Sequence, residues 1–298
     1  MTEKPLVSVI INCYNSEKYL RETIDSLLAQ TYDNWEAIFW DNCSTDTTAE
    51  IIKSYDNPRF RYFLAEKNTP LGEARNLAME KVCGVYTSFL DSDDVLESSF
   101  LQECVKAFEE SPNIGLVYTR FKSFDENKSW YETKLDKDRK VTLSDLCVFY
   151  DIGISAAMFR YDVKVKNDIC FDERFSLIED YDFFINLTAV SEVRYIASPL
   201  MNYREHGDNL SFKSDKWIEE KKLYIEKAKK DKKLIPYIKY FIIDIENRTT
   251  YEKLVKKDGA LKYIIKNAPH NPRLLRYLLA LIIGVDSFYK LKRRLNRV

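Results

Sequence analysis

Four short apolar segments, each followed by a pattern typical of a helix, occupy the first 110 residues of the chain. Segments this apolar fit strands that are buried on both faces. Alternation of such strands with helices favours a mostly parallel sheet that is covered by helices on both sides. The predicted strands are Val7–Tyr14, Trp35–Trp40, Arg59–Ala65 and Tyr86–Leu90. We therefore expect an α/β fold with a Rossmann-like central sheet.

The pattern after the fourth segment is less regular. Three more strands are predicted, at Ile114–Phe124, Ile154–Arg160 and Val193–Tyr203, and two helices at 95–110 and 178–190. The charged segment 125–140 is predicted to be a mobile loop. Thr47 and Glu50 form a capping-box pattern at the start of the second helix. Because everything after Lys213 has helical character, we expect a first domain at 1–213 and a basic helical extension at 214–298.

Three aspartates, Asp91, Asp93 and Asp94, follow the fourth predicted strand. Open α/β sheets bind their ligands at the carboxyl ends of their strands. If the chain is still extended there, Asp91 and Asp93 point to the same side. Two carboxylates on one side suit Mg²⁺ or Mn²⁺ held jointly with substrate phosphates. The alternative is a turn whose aspartates cap the next helix.

Glycine, cysteine and histidine usage excludes several kinds of site. The 7 glycines are too widely spaced for the glycine-rich loop of a dinucleotide-binding domain or a P-loop kinase. The 2 histidines, His206 and His270, exclude a multi-histidine zinc site. The 6 cysteines form no C-x-x-C pair and no signal-peptide pattern opens the chain. We therefore expect reduced thiols and a cytoplasmic location.

Charge is divided unevenly along the chain. Residues 216–298 carry 22 Lys and Arg against 9 Asp and Glu, whereas residues 1–215 carry 24 against 38. The apolar segment Tyr277–Val285 is too short to span a bilayer. With the cations that follow it, the segment resembles a helix lying peripherally on an anionic membrane, at the inner face of the plasma membrane. The alternative is a helical hairpin that packs on the domain or on a second copy of the chain, as a homo-oligomer. No nucleic-acid-binding motif accompanies the charge.

Four sequence blocks resemble, in their residues, order and spacing, the inverting glycosyltransferases of family 2, which have the GT-A fold. The blocks are Val7–Asn15, Trp40–Asp46, Gly72–Asn76 and Leu90–Asp94. Two later blocks, Glu179–Asp180 and Tyr203–His206, stand where the family places its base and a closing histidine. The resemblance covers roughly residues 5–212. It implies a nucleotide-sugar donor, UDP-linked, and Mn²⁺ or Mg²⁺ as cofactor.

The resemblance also implies which residues bind the donor. Tyr14 and Asn15 are expected to line the nucleotide pocket, and Asp41 to accept the N3–H of uracil. Arg75 is expected to lie within reach of the diphosphate. The other expected contacts to the nucleotide sugar come from Cys13, Asn42, Asp91, Ser92 and Glu179.

Three residues are expected to hold the metal. Asp93 is the principal ligand that the resemblance implies, and Asp91 touches the ribose, the metal or both. His206 either completes the metal shell or contacts the pyrophosphate, and the alternative for His206 is a structural histidine. The metal neutralises charge on the departing nucleoside diphosphate.

Asp180 is the expected catalytic base. Inversion requires a base beside the acceptor hydroxyl, on the face of the sugar opposite the leaving group. The predicted start of a helix at Asp180 favours its ionised form through the free N–H groups and the helix dipole. The alternative for Asp180 is simple helix capping. Glu179 is expected to orient a substrate or Arg75.

The sequence therefore predicts a metal-dependent glycosyltransferase that transfers sugar to a glycan or lipid-linked acceptor in cell-surface polysaccharide biosynthesis. One alternative is a non-catalytic scaffold subunit that keeps the nucleotide pocket. A second alternative is a membrane-interaction protein whose basic extension carries its main activity.

Overall fold

The computed structural model describes residues 4–131, 136–207 and 214–283. Contacts divide the chain into two compact units, Met1–Asn209 and Leu210–Val298. The first unit contains strands β1 to β10, at Val7–Cys13, Trp35–Asp41, Phe60–Leu64, Tyr86–Phe89, Val95–Leu96, Ile114–Phe124, Ser129–Tyr131, Arg139–Val141, Ala157–Arg160 and Glu192–Arg204. Its helices α1 to α7 are Leu20–Leu28, Thr48–Lys53, Leu71–Met79, Phe100–Glu109, Leu143–Val148, Tyr161–Lys166 and Glu179–Thr188.

Four parallel strands form the first half of the sheet, in the order β3-β2-β1-β4. All of β2 is buried, as are the apolar residues of β1, because helices lie on both faces of the sheet. Such double coverage explains why these strands are almost continuously apolar in sequence. The predicted α/β architecture is confirmed.

Beyond β4 the sheet contains strands of both directions. The order continues β9-β6-β10-β5, and β9 is antiparallel to both β4 and β6. The long strands β6 and β10 are parallel to each other. Their carboxyl ends meet at Phe124 and Arg204, which are paired in register. The last residues of β10 consequently come to the same edge as the ends of the first four strands.

Three local predictions need correction. The helix predicted from Val95 begins only at Phe100, because Val95–Leu96 forms a short strand against β10. The segment 125–140 contains β7, paired with β6, and β8, paired with β10, while residues 132–135 lie outside the described residues. The capping box at Thr47 and Glu50 is absent: Asp46 accepts the backbone N–H of Thr48 at 3.0 Å instead.

The second unit is helical, with α8 to α11 at Ser214–Ala228, Ile238–Val255, Ala260–Asn267 and Leu278–Ile283. Part of the apolar segment 277–285 is buried inside this unit, where Tyr277 and Ala280 pack with Leu254, Ile264 and Leu274. The described part of the segment thus packs on its own unit, while the membrane-surface helix and the hairpin on the first domain or on a second copy stay predictions. The cations from Lys290 onward lie outside the described residues. Within 4–131, 136–207 and 214–283, no helix is both long enough and apolar enough to cross a membrane.

Candidate active site

The loops that follow β1, β2 and β4 are joined by hydrogen bonds at the carboxyl edge of the sheet. Asn15, which has a positive φ of 50°, accepts the backbone N–H of Thr45 at 2.8 Å through its side chain. The hydroxyls of Ser16 and Ser92 lie 2.8 Å apart. Asparagine tolerates the left-handed backbone conformation better than most residues. These bonds hold Tyr14, Asn15 and Ser92, three of the expected donor-binding residues, in one loop cluster.

The expected uracil contact, Asp41, is nearly fully buried. It is 1% exposed, and its two carboxylate oxygens accept the backbone N–H of Ser44 at 2.8 Å and the hydroxyl of Tyr62 at 2.7 Å. Each oxygen keeps a second lone pair, but the side chain is held inside the fold rather than projecting into solvent. The structure thus gives Asp41 the role of fixing the Ser44 turn and the Tyr62 hydroxyl.

Cys13 and Asn42 are also internal. Cys13 is 1% exposed, and burial, followed by the nearby charge of Asp41, raises the pKa of its thiol. The side-chain amide of Asn42 donates to the carbonyl of Thr69 at 2.7 Å, and its oxygen accepts the Thr69 N–H at 3.1 Å. Both side chains are therefore used in packing and in fixing the loop before α3. Tyr14 is 56% exposed, so its ring is accessible.

A buried arginine joins three separate parts of the chain. Arg75 of α3 is 3% exposed, and its guanidinium donates to Asp91 Oδ1 at 3.0 Å and to Glu179 Oε1 at 2.9 Å. The rings of Phe89 and Phe171 flank the guanidinium at 5.8 and 5.5 Å. Burial lowers the pKa of Arg75, but the adjacent carboxylates outweigh that effect, so its pKa is raised and the cation is retained. The structure thus brings Arg75, Asp91, Glu179 and the neighbouring Asp180 together.

Asp180 lies in the first turn of α7 and is partly buried. Its Oδ1 accepts the backbone N–H of Tyr181 at 2.7 Å, and its Oδ2 accepts the hydroxyl of Tyr150 at 3.4 Å. Burial, together with the charge of Glu179, raises the pKa of Asp180 to about 7, although Arg75 lowers it. The helix start does not hold the pKa of this carboxyl at or below its usual value, because loss of hydration outweighs the helix dipole, so both the ionised and the protonated form exist at neutral pH.

The chain turns at the acidic block instead of staying extended. The backbone N–H of Asp94 donates to the carbonyl of Asp91 at 3.1 Å, closing a turn. Asp91 consequently reaches Arg75, whereas Asp93 reaches His206, with Asp93 Oδ2 and His206 Nε2 2.8 Å apart. The condition under which Asp91 and Asp93 were expected to point to the same side, an extended chain, is therefore not met. Alternation of side chains holds only for extended backbone.

Asp94, which has no role in the sequence prediction, anchors this turn from inside. It is 1% exposed, and its carboxylate accepts the hydroxyl of Ser155 at 2.6 Å and the backbone N–H of Arg204 at 3.0 Å. Ser155 in turn accepts the N–H of Asp91 at 3.0 Å, and Arg204 donates to the carbonyl of Asp93 at 2.9 Å. Burial and the neighbouring aspartates raise the pKa of Asp94 well above its usual range.

Four residues of this edge escaped the sequence analysis: Tyr62, Tyr150, Ser155 and Arg204. Only Arg204 carried a signal, because it belongs to the block Tyr203–His206. The other three are single hydroxyl-bearing residues, and their roles depend on tertiary contacts that local sequence does not contain.

The metal candidates form a pair rather than a cluster. Asp93 and His206 are in contact, and the ring of His206 packs on Tyr19 with 5.1 Å between centroids. Burial and the charge of Asp91 raise the pKa of Asp93, and His206 lowers it. Among the described residues, no three His, Cys, Asp or Glu side chains are grouped to hold a metal ion.

Comparison with known proteins identifies related sequences and folds. The family described as "Glycosyl transferase family 2" matches residues 8–165. Chondroitin synthase of Escherichia coli is 30% identical over 215 residues, which cover 70% of this chain and 30% of that protein. The chain likewise spans only 22% and 21% of the chondroitin and hyaluronan synthases of Pasteurella multocida that it matches.

Two solved structures share the fold at low sequence identity. Residues 1–349 of the S. aureus protein TarS, solved with UDP-GlcNAc, have a TM-score of 0.70 and 20% identity, covering 92% of this chain and 80% of that TarS chain. The mannosyltransferase PcManGT from Pyrobaculum calidifontis, solved with GDP-Man and Mn2+, has a TM-score of 0.63 and 17% identity, covering 98% of this chain and 85% of PcManGT.

Proposed function

The chain belongs to glycosyl transferase family 2, and from that premise we propose that it is an inverting glycosyltransferase. It transfers a sugar from a nucleotide-sugar donor to a glycan or lipid-linked acceptor in cell-surface polysaccharide synthesis. The observation that carries the proposal is the buried Arg75, which fixes Asp91 and Glu179 beside Asp180 at the carboxyl edge of the sheet. Because Arg75 is buried and neutralised by these carboxylates, its role is to position them at the edge where open α/β sheets bind their ligands.

The donor is proposed to be UDP-linked. The loop cluster of Tyr14, Asn15 and Ser92 offers an exposed ring and polar groups for the nucleoside, and Asp41 supports this cluster from beneath through Ser44. TarS was solved with UDP-GlcNAc, which supports uridine, whereas PcManGT was solved with GDP-Man. The shared fold therefore accommodates either nucleobase, and measurements of nucleotide binding identify the donor.

Asp93 and His206 are proposed to hold Mg²⁺ or Mn²⁺ together with the donor phosphates. Adjacent ligands of an octahedral cation with bonds of ~2.1 Å are about 3 Å apart, and Asp93 Oδ2 lies 2.8 Å from His206 Nε2. The two side chains therefore fit one cation once no proton lies between them. Asp91, held by Arg75, lies next to this pair. When bound, the metal neutralises charge on the departing nucleoside diphosphate.

Asp180 is proposed to be the base. Its carboxylate takes the proton of the acceptor hydroxyl while that oxygen bonds to the anomeric carbon of the donor sugar. The bond from this carbon to the phosphate oxygen breaks, and its electron pair leaves with the nucleoside diphosphate. A base works best with a pKa near the operating pH, and the pKa of about 7 meets that condition.

A thermal-shift panel of UDP-, GDP- and dTDP-sugars, with Mn²⁺ or with EDTA, tests the donor and the metal together. A cognate donor is expected to raise the melting temperature, and to do so more strongly with Mn²⁺ than with EDTA. The donor so identified is then used in a transfer assay, and NMR of the product reads the configuration of the new linkage. A retained anomeric configuration, or no stabilisation by any nucleotide sugar, would contradict the proposal.

A further inference from the structure

A tyrosine hydroxyl covers the reactive oxygen of the proposed base. Of the two Asp180 oxygens, Oδ1 is bonded to the Tyr181 N–H at 2.7 Å, and Oδ2 accepts the Tyr150 hydroxyl at 3.4 Å. An acceptor hydroxyl that gives its proton to Asp180 has to donate to the carboxylate in the same way. The phenol of Tyr150 thus makes the contact that a sugar hydroxyl needs.

This contact is weak enough to be exchanged. A distance of 3.4 Å is longer than the ~2.5–3.0 Å that is usual for O–H···O bonds. Tyr150 lies between α5, which ends at Val148, and a short 3-10 turn at Ile154–Ala156, so its side chain can swing without breaking a helix. Its ring packs edge-to-face on Tyr181, with 4.8 Å between centroids, and this contact holds the hydroxyl beside Asp180 until the whole ring is displaced.

Resting on the function proposed above, we propose that Tyr150 discriminates between the acceptor and water by covering the Asp180 carboxylate until an acceptor displaces its hydroxyl. A bound acceptor brings binding energy from the rest of its surface to displace the phenol, whereas a single water molecule does not. With an acceptor bound, the Asp180 carboxylate can take the acceptor proton. Without an acceptor, the phenol shields the carboxylate from water, which slows hydrolysis of the donor. Tyr150 acts through Asp180 and is a positioning residue that sets specificity.

The shielding matters because hydrolysis and transfer share one chemical step. In hydrolysis, water gives its proton to Asp180, its oxygen bonds to the anomeric carbon, and the nucleoside diphosphate leaves with the electron pair of the broken bond. The products are the free sugar and the nucleoside diphosphate. Only access of the nucleophile to Asp180 Oδ2 distinguishes this side reaction from transfer.

Tyr150→Phe tests the inference, because it removes the hydroxyl and keeps the ring that packs on Tyr181. The full-length wild type and variant are given UDP-GlcNAc and the other nucleotide sugars of the panel without acceptor, and release of the nucleoside diphosphate is measured. We expect hydrolysis to rise about 3- to 10-fold, the size expected for loss of one ordinary hydrogen bond. The affinity for UDP, measured by calorimetry, is expected to stay unchanged.

Tyr55→Phe is the matched control, since the Tyr55 hydroxyl donates to Asp25 at 2.9 Å, between α1 and the end of α2. This variant removes a hydrogen bond of the same kind, from a tyrosine to an aspartate, but not at Asp180. We expect the variant to hydrolyse the donor at the wild-type rate. A hydrolysis rate in Tyr150→Phe that is equal to or below wild type would overturn the inference while the proposed function stands. Failure of both wild type and Tyr150→Phe to turn over any nucleotide sugar would overturn the two together.

Discussion

Arg75 Nη1 lies 2.9 Å from Glu179 Oε1, although 104 positions separate the two residues in the chain. This ion pair joins α3 to the first residue of α7, and the same guanidinium reaches Asp91 in the turn after β4. Side-chain exposures of 3% for Arg75 and 7% for Glu179 exclude water from the pair. The parts of the proposed active site thus depend on one buried cation for their relative position.

We expect Arg75→Met to lower the free energy of unfolding by about 3 kcal/mol or more, because it leaves the Glu179 carboxylate buried without its partner. Urea unfolding at neutral pH, followed by circular dichroism, measures the loss. The matched control is Lys166→Met on α6, which breaks the exposed ion pair with Asp162, and its effect is expected to stay within about 0.5 kcal/mol. Equal losses in the two variants would show that burial of the Arg75 pair does not matter.

Ser155→Ala is expected to destabilise the turn at Asp91–Asp94. The change removes the donor to the buried Asp94 Oδ2, leaving that carboxylate only the Arg204 N–H at Oδ1, and it removes the acceptor of the partly buried Asp91 N–H. The expected loss in the free energy of unfolding is about 1–3 kcal/mol. Ser54→Ala is the control, because the Ser54 hydroxyl donates to a carbonyl within its own helix end and the residue is exposed. Unfolding curves that coincide for the two variants would rule out the anchoring role.

The sequence predicted the parallel half of the sheet and the chain blocks that meet at its edge. This succeeded because apolar runs and helix spacing are local signals, and because the carboxyl ends of parallel strands lie at one edge. The prediction for 125–140 failed because β7 and β8 pair with β6 and β10, which lie elsewhere in the chain, and such pairings leave little trace in a short charged segment.

The electrostatics of the site were not predictable in the same way. The pKa of Asp180 depends on its burial and on Glu179, Arg75 and Asp91, and two of these come from distant segments. Two local cues opposed each other, the helix start and the adjacent Glu179, and the prediction used only the helix start, which gave the wrong direction for the pKa. Likewise, the backbone bond between Asp94 and Asp91 closes a turn in which Asp91 and Asp93 take different partners, and no residue pattern distinguishes that turn from a strand end.

The two histidines of the chain provide an internal comparison for metal binding. We expect His206→Ala to raise the Mn²⁺ concentration that gives half-maximal transfer by about tenfold or more, because His206 lies against Asp93. His270→Ala changes an exposed residue of the second unit and is expected to leave the Mn²⁺ dependence unchanged. Transfer assays over a Mn²⁺ series after EDTA treatment measure both. Superimposable activation curves for His206→Ala and wild type would remove His206 from the metal site.

Asp180 should control the pH dependence of transfer. With a pKa of about 7, the acid is mostly protonated below that pH and cannot accept the acceptor proton, so kcat/KM is expected to rise tenfold per pH unit on the acid side and to level off above about pH 8. Asp180→Asn is expected to lower transfer by about 10²–10⁴-fold while UDP still binds. Asp162→Asn, on the exposed face of α6, is the control and should leave transfer unchanged.

The raised pKa of Asp180 also affects stability. Rising pH is expected to lower the contribution of Asp180 to stability, whereas it raises the rate of transfer. The native state holds the Asp180 proton up to about pH 7, whereas the unfolded chain releases it near pH 4. The native state therefore binds more protons between these values, so the contribution of Asp180 to stability is full below pH 4 and is lost as pH rises towards 7. Asp180→Asn cannot ionise, so its free energy of unfolding should exceed that of wild type at pH 8 and converge with it at pH 4. Urea titrations at the two pH values measure the difference. If wild type is the more stable protein at pH 8, burial does not destabilise the ionised form of Asp180.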